Sequence, residues 1–197
     1  MIDFALDPEL ELLRETARSF AAERLRPRER AHESARAVDA EVRRLFAATG
    51  LAAIEWPESL GGAGLGALAR ALVLEELAAA DAGAALALDP LGLAFYALAE
   101  AGENAALERF ARPLLETPGA RAVLAWNGGG HVALASGAAH GVLPWVPSER
   151  ADLLVLLDAE SIAVIDRGTE TVPLRGAGLR AAGAAELRLE RAPVAAW

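Results

Sequence analysis

The 197-residue sequence contains no cysteine and no lysine. Without cysteine, the chain forms neither a disulfide framework nor a thiolate metal site. All 19 basic residues are arginine, and 28 acidic residues outnumber them to give a net charge of −9. The acidic excess holds on both sides of Pro118, with 20 acids against 12 arginines before it and 8 against 7 beyond it. Because nucleic-acid-binding domains carry a basic surface, we expect no nucleic-acid partner.

We also expect no targeting segment and no unbroken apolar run long enough to cross a membrane. Its N-terminus has Asp3 and Asp7 where a signal peptide needs basic residues. The uncharged stretch from Ala122 to Ser148 is long enough to span a bilayer, but glycines and two prolines interrupt it. We therefore expect turns and strands there, no membrane span, and a cytoplasmic protein.

The first 118 residues predict a helical bundle. Asp7 before Pro8 is a favoured N-cap followed by a favoured first helical residue. The charged run 28–36 predicts either a solvated link or a helix that continues past a kink at Pro27. Apolar residues recurring at three and four predict helices from Pro8 to Pro27, Val38 to Thr49, Leu65 onward, Pro90 to Ala101 and Asn104 to Leu115.

Beyond Pro118 the composition changes to short apolar runs that glycine and proline separate. These runs predict strands at Ala122 to Trp126, Val132 to Leu134, Gly141 to Val146, Leu153 to Leu157, Ile162 to Ile165 and Glu186 to Glu190. The run 153–157 reads as buried on both sides, whereas 186–190 alternates and has one wet face. The fold class is therefore α+β, with an N-terminal helical bundle (1–118) followed by a small antiparallel β-barrel or sandwich (119–197).

The glycine-dense loop Gly61 to Gly66 admits two interpretations. Gly62, Gly64 and Ala67 fit a dinucleotide-binding fingerprint, with Asp81 near the place of a ribose-binding acid. That fingerprint needs a strand on either side, but Pro57 breaks the preceding run and more helix follows Asp81. A tight turn between helices, in which glycine permits close packing, is favoured.

The same region resembles a known family. W-P-E-x-x-G-G-x-G, starting at Trp56, precedes A-L-V-L-E-E-L-A-x-A-D, which ends at Asp81. This arrangement is similar to the helical N-terminal domain of acyl-CoA dehydrogenases, although Leu60 replaces the usual aromatic residue. Helical bundle first and β domain second is the order of that family's first two domains. Its third domain, of four helices, is expected to be absent.

The resemblance implies FAD as the cofactor, with its ring held by two motifs of the β domain. The first motif aligns with L-A-W-N-G-G-G, which places Leu124, Trp126 and Asn127 at the ring, and leaves Gly128 to Gly130 as either a phosphate cradle or a hairpin turn. The second aligns with W-V-P-S and places Trp145, Pro147 and Ser148 there. Pro147 has no N–H to donate to the flavin. Because Trp126, Asn127 and glycines also replace the usual pattern of the first motif, FAD binding by the chain alone is expected to be weak or absent.

No catalytic residue is assigned, because the family's base lies in the third domain. Glu75 and Glu76 are adjacent on a helix and diverge too far to act on one substrate. His32, His131 and His140 lack metal-ligand spacing. A triad of Ser136, His140 and Asp152 lacks the G-x-S-x-G signature.

The resemblance implies FAD-dependent α,β-dehydrogenation of an acyl-CoA thioester as the family activity, one that this chain is not expected to perform alone. The alternative is a non-catalytic subunit, or an acyl- or partner-binding module, of a larger dehydrogenase complex. Without the third domain, apolar surfaces would need a cover. We therefore expect a homodimer or a hetero-oligomer with a fuller dehydrogenase subunit.

Overall fold

The computed structural model describes residues 5–159 and 161–195, and it confirms the predicted α+β class. Short 3-10 turns lie between several of the elements. Among the described residues the α-helices are α1 (Pro8–Phe20), α2 (Glu29–Ala35), α3 (Ala40–Ala47), α4 (Gly66–Ala87), α5 (Gly92–Glu100) and α6 (Asn104–Glu116). The strands are β1 (Ala122–Trp126), β2 (Val132–Ala135), β3 (Ala138–Val146), β4 (Leu153–Leu157), β5 (Ile162–Ile165), β6 (Thr169–Pro173) and β7 (Ala185–Pro193).

The first helix begins where the sequence predicts. The side chain of Asp7 accepts a hydrogen bond from the backbone N–H of Leu10 at 2.8 Å, and Pro8 is the first helical residue. The helix passes through a π-helical segment and a 3-10 turn that contains Pro27 before α2 begins. The charged run is therefore a helix that continues past an irregular turn, one of the two expected forms.

The glycine loop is the favoured tight turn. The backbone N–H of Gly64 donates to the Trp56 carbonyl oxygen at 2.7 Å, and that of Leu65 donates to the Ile54 carbonyl at 3.0 Å. A Cβ on Gly62 would lie 1.9 Å from the Trp56 carbonyl oxygen and 2.2 Å from the Ala53 carbonyl oxygen. The loop thus packs its own backbone against the preceding segment, which only glycine permits at position 62.

Asp81 breaks the long helix α4 and then caps its second part. Its backbone is extended (φ −158°, ψ 100°) within the helix, and its Oδ1 accepts from the Ala84 N–H at 2.9 Å. Its Oδ2 lies 3.3 Å from Nδ1 of His32, which is only 1% exposed. Asp81 therefore serves helix geometry, and His32 is the one residue of the charged run that is fully inside.

A buried ion cluster joins the glycine turn to α4 and α5. Arg70 on α4 donates from Nη1 to Glu55 Oε1 at 2.7 Å and from Nη2 to Asp89. Asp89 Oδ1 accepts from the Gly92 N–H at 2.9 Å, where α5 begins. The Tyr96 hydroxyl donates to Glu55 Oε1 at 3.4 Å, and the Arg70 guanidinium lies 5.5 Å from the Tyr96 ring centre. One arginine therefore fixes three segments of the bundle.

The β domain is a sandwich of two sheets with strand orders β1-β4-β5 and β2-β3-β7-β6. Strands β1 and β4 are parallel, from the pair Ala122 with Leu153 to the pair Trp126 with Leu157. The other four described pairs are antiparallel. The sandwich form of the expectation holds, and the parallel pair follows from covered faces, since β1 and β4 pack α5 on one side and the second sheet on the other.

The predicted burial patterns of the strands are confirmed. Leu153 to Leu156 are fully buried, whereas β7 alternates between buried leucines and more exposed charged residues. The edge strand β6 was not predicted, because its sequence T-E-T-V-P has no apolar run. The boundary between 1–118 and 119–197 stays a prediction.

No single described helix has the length and apolar character to cross a membrane. The pair α4 and α5 satisfies length and composition only when the two are taken together, and they are bent by 75°.

The glycine turn gives a first prediction. Gly62→Ala should lower the free energy of unfolding by about 3 kcal/mol or more, because its Cβ would overlap two backbone carbonyl oxygens. Gly64→Ala is the matched control, since Gly64 has φ +71° but open space around its Cβ, and it should cost about 1 kcal/mol. Urea unfolding followed by circular dichroism measures both, and an equal loss for the two variants would contradict the overlap.

The ion cluster gives a second prediction. Burial raises the pKa of Glu55, with Arg70 opposing the shift. A carboxyl group with a raised folded-state pKa binds more protons folded than unfolded, so its contribution to stability falls as pH rises above its ordinary value. Removing one partner of Arg70 destabilises the variant at any one pH, but the stability of Glu55→Gln relative to the wild type should rise between about pH 4 and about pH 7. Exposed Glu58→Gln is the control; if both variants track the wild type across this range, Glu55 does not titrate as described.

Candidate functional site

The residues predicted to hold a flavin lie at the ends of β1 and β3. Trp126 ends β1 and is 63% exposed, whereas Asn127 directly after it is buried. Trp145 lies near the end of β3 and is 60% exposed, whereas Ser148 beyond it is buried. In both segments the indole is exposed to solvent, and the polar side chain that follows it is buried.

Asn127 closes the turn between β1 and β2. Its Nδ2 donates to the Val132 carbonyl at 2.8 Å, and its Oδ1 accepts from the Val132 N–H at 2.9 Å. Its backbone N–H donates to the Leu157 carbonyl at 2.7 Å. Both polar atoms of the amide are thus used inside the protein.

The three glycines after Asn127 form an exposed turn that joins strands of different sheets, so it is not a hairpin. A Cβ on Gly128 would lie 1.9 Å from Nε1 of Trp126. The indole of Trp126 therefore rests against this glycine backbone. The glycines give the tryptophan room, which is a use that neither sequence interpretation included.

Trp145 is exposed because β3 is irregular at this point. The register between β3 and β7 shifts between Leu143 and Val146, so that Pro144 and Trp145 both face outward. Pro147 is half-buried and has no N–H. The Ser148 hydroxyl donates to the Arg150 carbonyl at 2.6 Å and accepts from the Arg150 N–H at 3.2 Å. Ser148 is therefore occupied by its own turn.

The predicted residues do not all converge. Leu124 is half-buried and packs against the cluster that contains α5. Ser148 lines a cleft together with Arg121, which directly precedes β1, while Asn127 directly follows that strand. A strand rises about 3.3 Å per residue, so Arg121 and Asn127, six residues apart at the two ends of β1, are separated by about 20 Å. Asn127 and Ser148 therefore lie near opposite ends of β1 and do not form one site.

The comparisons with known proteins decide the family. Residues 7–117, more than half of the chain, match the acyl-CoA dehydrogenase, N-terminal domain family. The chain belongs to the acyl-CoA dehydrogenase family. No protein with curated function matches the sequence significantly.

Solved acyl-CoA dehydrogenase structures share the fold of both domains. A Mycobacterium smegmatis protein described as an acyl-CoA dehydrogenase is 25% identical with a TM-score of 0.80, over 96% of this chain and 56% of that one. Butyryl-CoA dehydrogenase from Megasphaera elsdenii is 19% identical with a TM-score of 0.80, over 98% and 58%. A glutaryl-CoA dehydrogenase from M. smegmatis, in complex with FADH2, is 20% identical with a TM-score of 0.70, over 96% and 54%. The chain spans somewhat more than half the length of these structures.

Family membership implies FAD as the cofactor, and the residues at these two segments fit it only in part. The two exposed indoles offer flat aromatic surface, which suits the faces of a flavin ring. These segments offer few hydrogen-bonding groups to the polar edge of the ring. The Asn127 amide and the Ser148 hydroxyl already form hydrogen bonds within the protein, and Pro147 has no N–H. The residues fit stacking on the ring and do not fit hydrogen bonding to it.

The acids weighed as a catalytic pair are not arranged for catalysis. Glu76 accepts two hydrogen bonds from Arg18, at 2.7 and 3.0 Å, and this pairing lowers its pKa. Glu75 beside it is exposed. A general base needs a raised or near-neutral pKa and access to substrate, so neither residue is assigned that role.

The imagined serine triad is not assembled. Ser136 lies in the turn between β2 and β3, whereas Asp152 accepts from the Arg121 N–H at 2.9 Å and from Nε of Arg150 at 2.6 Å. Asp152 is thus engaged beside the start of β1. No three potential metal ligands are grouped within the part of the chain that the structure describes.

One concentration of polar groups was not predicted. Arg36, Arg43, Arg121 and Arg150 line a cleft where the helical bundle meets the β domain. They are far apart in sequence, so no motif contains them. The one local signal is Arg121, a charged residue placed directly before the apolar strand 122–126.

The Asn127 turn gives a third prediction. Asn127→Ala should lower the free energy of unfolding by about 1 to 3 kcal/mol, because it leaves the buried Val132 N–H without its partner. Thermal and urea unfolding measure this loss. Ser136→Ala, in the exposed turn between β2 and β3, is the control and should stay within about 0.5 kcal/mol of the wild type. A fully stable Asn127→Ala protein would show that the amide does not hold the turn.

Proposed function

We propose that this chain supplies the flavin-facing surface for FAD-dependent α,β-dehydrogenation of an acyl-CoA thioester, and that it does not complete the active site alone. The observation that carries the proposal is the pair of exposed tryptophans, Trp126 and Trp145. They stand at the two segments that resemble the flavin-contacting motifs of the family.

Two open indoles have an energetic cost that a ligand can remove. A tryptophan buries about 150 to 250 Å² when it is covered. At about 25 cal/mol per Å², covering the exposed part of each indole is worth about 2 to 4 kcal/mol. An isoalloxazine ring is a flat aromatic surface that covers an indole without requiring a polar partner from it.

The buried, hydrogen-bonded polar groups leave this surface without donors for a bound flavin ring. The side chains of Asn127 and Ser148 form hydrogen bonds within their own turns, and Pro147 has no N–H to donate. Hydrogen bonds to a bound ring, and a carboxylate that removes the substrate proton, would have to come from elsewhere in the assembled protein. The M. smegmatis glutaryl-CoA dehydrogenase that holds FADH2 supports the cofactor class by fold alone.

The proposal predicts weak FAD binding that depends on both indoles. FAD should quench tryptophan fluorescence with a dissociation constant of about 10 µM or weaker, and Trp126→Leu and Trp145→Leu should each reduce the quenching. Leu12→Ala is the control, since Leu12 is exposed on α1 and should leave the titration unchanged.

Two outcomes would contradict this proposal in different ways. Absence of fluorescence quenching at high FAD concentration would show that the two tryptophans do not form a flavin-binding surface. Tight stoichiometric binding with acyl-CoA-dependent reduction of an electron acceptor would show that the chain completes the site alone.

The second candidate is a non-catalytic subunit that binds a fuller dehydrogenase subunit. It is favoured by the same closed polar groups, since a surface of exposed indoles without free hydrogen-bonding groups also suits a protein partner. Sedimentation separates the candidates. A monomer that is quenched by FAD supports the flavin surface, whereas a self-dimer that buries Trp126 or Trp145 and ignores FAD supports the subunit role.

A further inference from the structure

The arginine cleft concentrates positive charge in a protein whose net charge is −9. Arg36 directly follows α2, Arg43 lies on α3, Arg121 precedes β1 and Arg150 lies between β3 and β4. The cleft has a volume of about 290 Å³. This is close to the lower limit of about 300 Å³ for small-molecule sites.

Backbone carbonyls hold these guanidinium groups without neutralising them. Arg43 donates from Nε to the Val38 carbonyl at 3.2 Å and from Nη1 to the Ala87 carbonyl at 2.9 Å. Arg36 and Arg121 each donate from Nη1 to a backbone carbonyl, of Gly176 and Leu86 respectively. In residues 5–159 and 161–195, none of these three arginines forms an ion pair with a carboxylate. Their charges are fixed in place without a directly paired carboxylate in that part of the chain.

The like charges also act on one another. Burial is the main cause that lowers the pKa of Arg121 to about 10; the charge of Asp89 opposes this shift, and the neighbouring Arg43 adds to it. Burial lowers the pKa of Arg43 as well, with Arg150 adding to the shift. Both groups remain charged at neutral pH. Guanidinium groups that repel one another across a cleft are unfavourable unless an anion joins them.

Arg121 supplies an independent sign of a ligand. It is only 8% exposed, and its Nε has no hydrogen-bond partner. A buried charged donor without a partner costs free energy, and proteins avoid it except where something else completes the bond. Arg121 lines the cleft, so an acceptor bound there could reach it.

The acids around the cleft do not cancel this charge. Asp152 is held by Nε of Arg150 and the N–H of Arg121, and Asp89 is held by Arg70. Glu149 lines the cleft and opposes an anion there. Arg150 is thus paired with Asp152, whereas Arg36, Arg43 and Arg121 line the cleft without a paired carboxylate among the described residues.

We infer that this cleft binds a phosphate group. A phosphate offers several acceptor oxygens and a charge near −2, which matches several converging guanidinium donors better than one carboxylate does. The group comes either from an inorganic phosphate or from a nucleotide-bearing ligand such as coenzyme A. The inference does not depend on the proposed flavin surface, because neither Trp126 nor Trp145 lines the cleft.

Calorimetric titration of the full chain tests the site. Sodium phosphate and sodium pyrophosphate are titrated at fixed ionic strength against a sodium chloride blank. We expect saturable binding with a dissociation constant of about 1 mM or tighter. Arg43→Gln and Arg121→Lys should each weaken it by about tenfold or more, since lysine keeps the charge of Arg121 but not the Nε donor.

Arg188→Gln is the matched control, because it removes one positive charge on β7 outside the cleft. It should change the dissociation constant by less than about twofold. Circular dichroism and thermal unfolding verify that each variant is folded. In addition, the NMR signal of the Arg121 Nε–H should shift on saturation with phosphate in the wild-type chain, which requires no variant.

The result that overturns the inference is the absence of saturable binding up to about 20 mM phosphate or pyrophosphate. Equal weakening by Arg188→Gln and Arg43→Gln would also overturn it, as would an unmoved Arg121 Nε–H signal. Coenzyme A distinguishes the two sources. Binding about tenfold tighter than pyrophosphate, and weakened by Arg43→Gln, assigns the phosphate to a nucleotide; comparable affinities assign it to the free anion.

Discussion

The buried ion cluster around Arg70 is the interaction on which the arrangement of the two domains depends. Through Glu55 it anchors the segment that leads into the glycine turn, and through Asp89 it fixes the start of α5. Pro90 directly after Asp89 accepts from the Ala122 N–H at 2.7 Å, where β1 begins. Breaking a buried ion pair by removing one partner costs about 3 to 5 kcal/mol. Its loss would therefore disturb the bundle and the first strand of the β domain together.

This chain of contacts sets what the β domain presents. Because α5 covers one face of β1 and β4, and the second sheet covers the other, β4 is buried throughout. Trp126 escapes burial only because it ends its strand and rests on Gly128. At the opposite end of β1, Arg121 reaches back to the Leu86 carbonyl and is enclosed where the two domains meet. One strand thus has an open aromatic residue at one end and a buried cation at the other.

The two surfaces have opposite character. At the tryptophans, apolar side chains are open and the polar groups beside them are satisfied internally. In the arginine cleft, charged groups are fixed by backbone carbonyls and one buried donor lacks a partner. The first surface suits a flat aromatic or apolar partner, and the second suits a small anion with several acceptor oxygens. Family membership bears on the first surface alone.

The sequence by itself determined the helical and β halves, four strands to within one residue of their observed limits, the Asp7 cap and the glycine turn. These depend on local periodicity and on residues whose backbone preferences are strong. The W-P-E and E-E-L-A motifs were also sufficient to predict the protein family. Only the tertiary structure decided that Asn127 and Ser148 are closed, that the parallel β1–β4 pair is covered on both faces, and that four arginines share a cleft. The covered parallel pair and the arginine cleft join residues distant in sequence. The side chains of Asn127 and Ser148 bond to residues five and two positions further on, but the turns that bring these partners together are set by how the strands pack.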